Sequence, residues 1–139
     1  MNIYICARVA HDARQLNSEV GAALRDAGHA VYLPQEQAPN NLTPDDIAEG
    51  RYDVRTIFLL DYGALQKSHV VVAVGRMGAD CAWELGYAWA KGIPVVHVPG
   101  TDMQWTKSPM LIPTLCERKE ATVYTVVDRV EVAIEEEYP

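Results

Sequence analysis

What this chain lacks narrows its class before anything it contains. Its three cysteines, Cys6, Cys81 and Cys116, are odd in number and scattered. None of the close pair spacings used by zinc ribbons or redox motifs occurs, so neither a disulfide framework nor a metal site is expected, and no cofactor is implied. No apolar run approaches the roughly 18 residues of a membrane span. Lysine and arginine number 12 against 19 acids, giving a net charge of −7, and they form no cluster. That balance argues against nucleic acid as the main partner, because a phosphate backbone is held by grouped Lys and Arg. A small ligand remains open, since one Arg in a cleft suffices for it. The opening "MNIYICARVA" lacks the basic-then-apolar layout of a secretory signal, which points to a cytoplasmic location. No internal repeat or low-complexity stretch is evident.

What is present reads as one globular domain spanning residues 1–139. A hydrophobic fraction of 49% over that length is enough to bury a core without staples. "NIYICA" alternates and is rich in β-formers, as a first, central strand should be. From Asp12 to Ala27 the residues Leu16, Val20, Leu24 and Ala27 fall at helical spacing, with Asp12 as expected N-cap and Gly28 just past the end. "HAVYLP" gives a second strand, and the polar "QEQAPNN" a loop. "TPDD" opens the next helix, with Thr43 as N-cap and Pro44 at the first helical position. That helix is expected to reach about Lys67, with a break near Gly50.

"HVVVAVG" is apolar almost throughout, as a strand buried on both faces is. A helix from about Asp80 to Gly92 follows, then a strand "PVVHVPG", a short helix near Pro109 to Cys116, a strand "TVYTV" and a final acidic helix. This order predicts a three-layer α/β/α fold of flavodoxin-like or Rossmann-like type, with a mostly parallel five-stranded sheet. In such sheets ligands bind beyond the carboxyl ends of the strands. The loops Ala7 to His11, Gly75 to Asp80 and Pro99 to Ser108 are therefore the ones to examine.

Two acids fall where apolar side chains are expected. Asp61 lies within the stripe Val54, Ile57, Phe58, Ala64 and Leu65, so it is expected to face the core side. Glu84 has Cys81, Tyr87 and Ala88 as its helical neighbours, and no basic residue on its own helix can neutralise it. A buried, unpaired carboxylate costs several kcal/mol, so each acid must be hydrogen-bonded, protonated or facing a cleft. A structural reading stands beside the functional one. Asp61 could bond a loop amide, Glu84 could be stabilised by the positive end of its helix, and Asp80 could be an N-cap. Yet Glu84 also follows the carboxyl end of "HVVVAVG", where a nucleophile would sit.

Four stretches, in this order, resemble the nucleoside 2-deoxyribosyltransferases and their relatives, the 2′-deoxynucleoside 5′-monophosphate N-glycosidases. They are "IYICA", "IFLLDYGALQKSHVVVAV", "CAWELGYAWAKGIPVV" and "SPMLIP". The resemblance implies that Glu84 captures C1′ of a deoxyribosyl group as a covalent intermediate, as in retaining glycosidases. It implies that Asp61 manages the proton at the base or orients the sugar, and that Tyr4 holds Glu84 by a phenolic hydrogen bond. Ser108 would reach into a neighbouring subunit's site, making the active unit a homodimer or a higher homo-oligomer. Arg8, with Ala7, Gly78, Asp80 and Met110, completes the expected substrate contacts. The partners implied are a nucleoside or nucleotide and a free base.

The chain departs from the family pattern in three places. Gly78 stands where many transferases carry a base-recognising aspartate, with Asp80 two residues later. The first loop, "CARVAHD", lacks the Gly-Ser pattern that cradles a 5′-phosphate in the hydrolases, yet Arg8 could meet an anion there. Ser108, rather than asparagine, leans towards the hydrolases. Transfer to a second base, hydrolysis by water, and a non-catalytic nucleotide-binding module thus all stay open. Trp83, Trp89 and Trp105 could wall a dry site or be core residues, and burial is the expectation for Trp89. His69 and His97 read as packed or edge residues, whereas His11 lies close enough to the first loop to touch a ligand.

Overall fold

The computed structural model describes residues 1–100 and 120–139. Its elements follow the chain as β1 (Asn2–Ala7), α1 (Arg14–Asp26), β2 (Ala30–Tyr32), two 3-10 turns (Pro34–Glu36 and Ala38–Asn40), α2 (Pro44–Ala48), α3 (Val54–Gln66), β3 (Val70–Val74), α4 (Ala79–Ala90), β4 (Val95–Val98) and α5 (Val126–Glu137). The strands lie in the order β2-β1-β3-β4, and every pairing is parallel.

Alternation along β1 sorts the core into two layers, because successive side chains leave opposite faces of a strand. Ile3, Ile5 and Ala7 pack with Val20 and Leu24 of α1 and Val126 and Val130 of α5. Tyr4 and Cys6 point the other way, onto Leu65 of α3 and Cys81, Leu85 and Ala88 of α4. The sheet is thereby covered on both faces, which is why β3 and β4 are buried at every position. The fold is the expected three-layer α/β/α arrangement.

The sheet among the described residues has four strands, where five were expected. The β-forming run Thr122–Val126 makes a turn instead. The Thr125 hydroxyl accepts from the Thr122 amide at 2.9 Å, and the Thr125 amide donates to the Thr122 carbonyl at 3.1 Å. The Thr125 side chain here takes up a backbone amide that a ladder would need, and Tyr124 is left 95% exposed. Among the described residues of this region Glu120 forms a single bridge to His97 on the edge of β4, with the Ala121 amide donating to the His97 carbonyl at 2.7 Å. The expected helix near Pro109 to Cys116 lies outside the described residues.

Helix termini follow the sequence around α2 and α3 and depart from it at the start of α1. Thr43 and Asp46 cap α2 reciprocally: the Asp46 amide donates to Thr43 Oγ1 at 3.1 Å and the Thr43 amide donates to Asp46 Oδ2 at 3.0 Å. The helix then breaks at Gly50, whose φ of +66° favours glycine. Asp53 restarts it by accepting from the Thr56 amide at 3.0 Å. Asp12, expected to cap α1, does not do so. A turn over residues 11–13 runs directly into the helix, Ala13 takes the cap position in helical conformation, and no side chain bonds there.

The apolar stripe of α3 is the larger surprise. Of its members Leu65 is fully buried and Ile57 and Ala64 are partly buried, while Val54 and Phe58 are 62% and 49% exposed, as are Leu59 and Leu60 outside the stripe at 55% and 41%. Trp89, expected in the core, is 44% exposed on α4. Val54 and Phe58 lie about one turn apart on a side of α3 turned away from this chain's own sheet, whereas Ala64 and Leu65 pack onto it.

Candidate active site

The chain runs from β1 outward to β2, then crosses back to β3 on the other side of β1. That reversal makes the carboxyl ends of β1 and β3 the topological switch point, where open α/β sheets bind ligands. Glu84 reaches this region from the second turn of α4. Its carboxylate accepts a 2.7 Å hydrogen bond from the phenol of Tyr4, which is fully buried in β1. The Cys6 thiol, two residues further along the same face of β1, bonds the Cys81 carbonyl at 3.6 Å and supports Glu84 from below.

A second tyrosine repeats the arrangement on the neighbouring strand. Tyr32 is the parallel-register partner of Tyr4, and the two rings stack with centroids 5.5 Å apart and planes 11° from parallel. The Tyr32 phenol donates to Asp61 Oδ1 at 2.7 Å. Asn40 Nδ2 donates to both Asp61 oxygens, at 3.2 and 3.3 Å, and to the Pro34 carbonyl at 3.1 Å. Asp61 is thus held from β2 and from the loop after it, and Glu84 from β1.

Burial governs the protonation of both acids. It pushes the Glu84 carboxyl up to about 7, against the lowering effect of the Tyr4 and Cys6 hydrogen bonds, and the charges of Asp61 and Asp80 push further in the same direction. Burial also raises Asp61, opposed by its bonds from Tyr32 and Asn40. Both phenols are raised, again chiefly by burial, so each stays protonated and acts as a donor. A carboxyl that titrates near neutrality, in a cleft with a second raised acid, is the pattern of groups that exchange protons or attack a substrate.

Among the described residues, Cys6, Cys81 and Glu84 bring three metal-ligating atoms within 4.8 Å of one another. Burial holds the Cys6 thiol well above its usual range, with the nearby Glu84 charge adding to it, and the thiol donates to the Cys81 carbonyl. The set therefore works as a thiol donor beneath a carboxylate.

The expected substrate contacts gather unevenly. Ala7 ends β1, and Arg8 follows it, half-buried, alongside Gly78 at the N-cap of α4. A Cβ built on Gly78 would meet Arg8 Cγ at 3.8 Å, so the arginine stem runs past the start of that helix. Asn17 fixes the loop by donating to the Arg8 carbonyl at 2.9 Å. Asp80 is exposed in the first turn of α4, and Gly78 takes the cap position once expected of it. His11 is exposed, and His97 is fully buried in β4. Ser108, Met110 and Trp105 lie outside the described residues.

Tyr32, Asn40 and Cys6 were not singled out from the sequence. The one available signal was alternation: Cys6 shares a strand face with Tyr4. The pairing of Tyr4 with Tyr32 and the return of Asn40 onto Asp61 depend on register and on the loop's path, which no local pattern encodes.

Comparison with known proteins places this geometry in context. No curated protein matches the chain. The structure superimposes with a TM-score of 0.67 on a 2-deoxyribosyltransferase from the psychrotolerant bacterium Bacillus psychrosaccharolyticus, at 21% identity, covering 91% of this chain and 90% of that one. It matches a conserved protein from Enterococcus faecalis V583 with the same TM-score, at 20% identity over 94% and 96% of the two chains. These likenesses establish a shared fold. The family model of the nucleoside 2-deoxyribosyltransferases matches residues 3–130, nearly the whole chain, and the chain belongs to that family.

Proposed function

We propose that this protein breaks the N-glycosidic bond of a 2′-deoxynucleoside by forming a glycosyl-Glu84 intermediate and then passes the deoxyribosyl group to another base. The observation that carries this reading is the Tyr4–Glu84 bond of 2.7 Å, beside a second held acid, in a chain of this family. Glu84 attacks C1′, the C1′–N bond breaks, and its electron pair goes to the base nitrogen. Asp61, raised by burial, gives its proton to the departing base. An incoming base then attacks C1′, displaces the Glu84 oxygen and returns its proton to Asp61.

One observation favours a second reading, hydrolysis of a 2′-deoxynucleoside 5′-monophosphate. Arg8 lies beside the N-terminus of α4, a twelve-residue helix, and both favour an anion. In that case water takes the place of the second base. Loss of turnover with retained nucleotide binding would correspond to a non-catalytic module.

A homodimer or higher homo-oligomer, with Ser108 completing the neighbour's site and the cytoplasm as location, belongs to the same proposal. The exposed face of α3 and α4 supports it. Phe58, Tyr62, Trp83 and Tyr87 form a continuous set of stacked and edge-on rings there, and Phe58 and Trp83 are about half exposed.

The deciding experiment incubates the purified protein with each deoxynucleoside and each 5′-monophosphate, with and without free adenine or cytosine, and separates the products by chromatography. A new deoxynucleoside that appears only with added base establishes transfer. Free base from a monophosphate without exchange selects hydrolysis. No change in any mixture, or turnover that survives Glu84→Ala, refutes the catalytic assignment.

A further inference from the structure

Tyr4 and Tyr32 sit opposite each other in parallel register, their rings stack, and each phenol ends on a different acid. Neighbouring strands are held about 4.8 Å apart by their hydrogen bonds. The two tyrosines therefore transmit a sheet dimension to the site. Glu84 and Asp61, which come from α4 and α3, are thereby each tied to one of two neighbouring strands.

Asp61 itself is held asymmetrically. Oδ1 accepts from both Tyr32, at 2.7 Å, and Asn40, at 3.2 Å, whereas Oδ2 accepts from Asn40 alone, at 3.3 Å. Oδ1 is occupied, and Oδ2 keeps acceptor capacity. We infer that Tyr32 and Asn40 are positioning residues that lock the Asp61 carboxyl at a fixed distance from Glu84, with Oδ2 presented to the substrate's base.

This inference deepens the proposed glycosyl-transfer reading and rests on it for its catalytic consequence. Among the described residues, the other carboxylates whose charge reaches Asp61 are Glu84 and Asp80, both on α4. Neither bonds it. Removing the Tyr32 hydroxyl takes away a donor that favours the charged form, so Asp61 must then hold its proton to higher pH.

The test is Tyr32→Phe, which keeps the stacked ring and removes only the hydroxyl, with Asn40→Ala as a second variant. Asp61 is followed by carboxyl carbon-13 titration without substrate, alongside steady-state kinetics and thermal melting. Titration of Asp61 shifts upward in Tyr32→Phe, kcat falls about tenfold with KM within about twofold, and the melting temperature barely moves. An unmoved Asp61 titration overturns the inference, because a merely structural tyrosine would change the melting temperature and leave that titration alone. A variant with unaltered kcat overturns its catalytic half. Should the unsubstituted protein release no base from any nucleoside, the function proposal fails, while the Asp61 titration still decides the positioning claim.

Discussion

Replacing Tyr4 by Phe removes one hydroxyl and leaves a fully buried ring in place, so it isolates the hydrogen bond to Glu84. A bond to a charged acceptor contributes about 1.5–3 kcal/mol, and one pKa unit corresponds to about 1.4 kcal/mol. The bond favours the ionised carboxylate, so its loss raises the Glu84 pKa. Starting from about 7, the variant's value moves to about 8–9. The ionised fraction at pH 7 then drops from about one half to between about one tenth and one hundredth, and kcat/KM at that pH falls by about 5- to 50-fold. At pH 9 most of the loss is recovered, because a carboxylate with fewer donors is ionised again and no less nucleophilic. The assay is the pH profile of kcat/KM for base release, whose acid limb reports the free enzyme. A loss of equal size at every pH, with the limb unmoved, would refute the reasoning and leave Tyr4 a packing residue.

Four further outcomes follow from the same structure. The Glu84 pKa is raised from 4.5 to about 7 on folding, so the folded state binds the extra proton and stability declines as pH rises through that window. Glu84→Gln removes the penalty, and urea melts should find it more stable than the unsubstituted protein by up to about 3 kcal/mol at pH 8, with the difference vanishing towards pH 4.5. Trp83→Glu places a charge on the exposed aromatic face, and sedimentation should show a shift towards monomer; an unchanged oligomer would move the interface elsewhere. Arg8→Ala should raise KM for a 5′-monophosphate by about tenfold or more while sparing a nucleoside, if an anion is met there. Gly100→Ala would bring a Cβ to 3.1 Å of the Gly75 backbone, and a loss of about 1–2 kcal/mol, read as a melting shift of a few degrees, is expected.

The layered fold was legible in residues such as Val70–Val74, because a strand covered on both faces has to be apolar throughout. Thr43, Gly50 and Gly92 marked helix ends for local reasons of capping and backbone freedom. The run Thr122–Val126 misled because β-propensity favours a strand only when a neighbouring edge is within reach. Here the Thr125 side chain and a local backbone turn satisfied these groups first.

The candidate site divides in the same way. Sequence alone marked Glu84 and Asp61, since a carboxylate amid apolar helical neighbours is costly wherever the helix packs, and the resemblance attached Tyr4 to Glu84. Tertiary structure decided what surrounds them. Parallel register set Tyr32 against Tyr4, the path of the loop brought Asn40 onto Asp61, and burial raised both acids. It also left Val54 and Phe58 of α3 exposed while burying Leu65, because helical periodicity fixes which side chains share a face and leaves open how much of that face the sheet will cover.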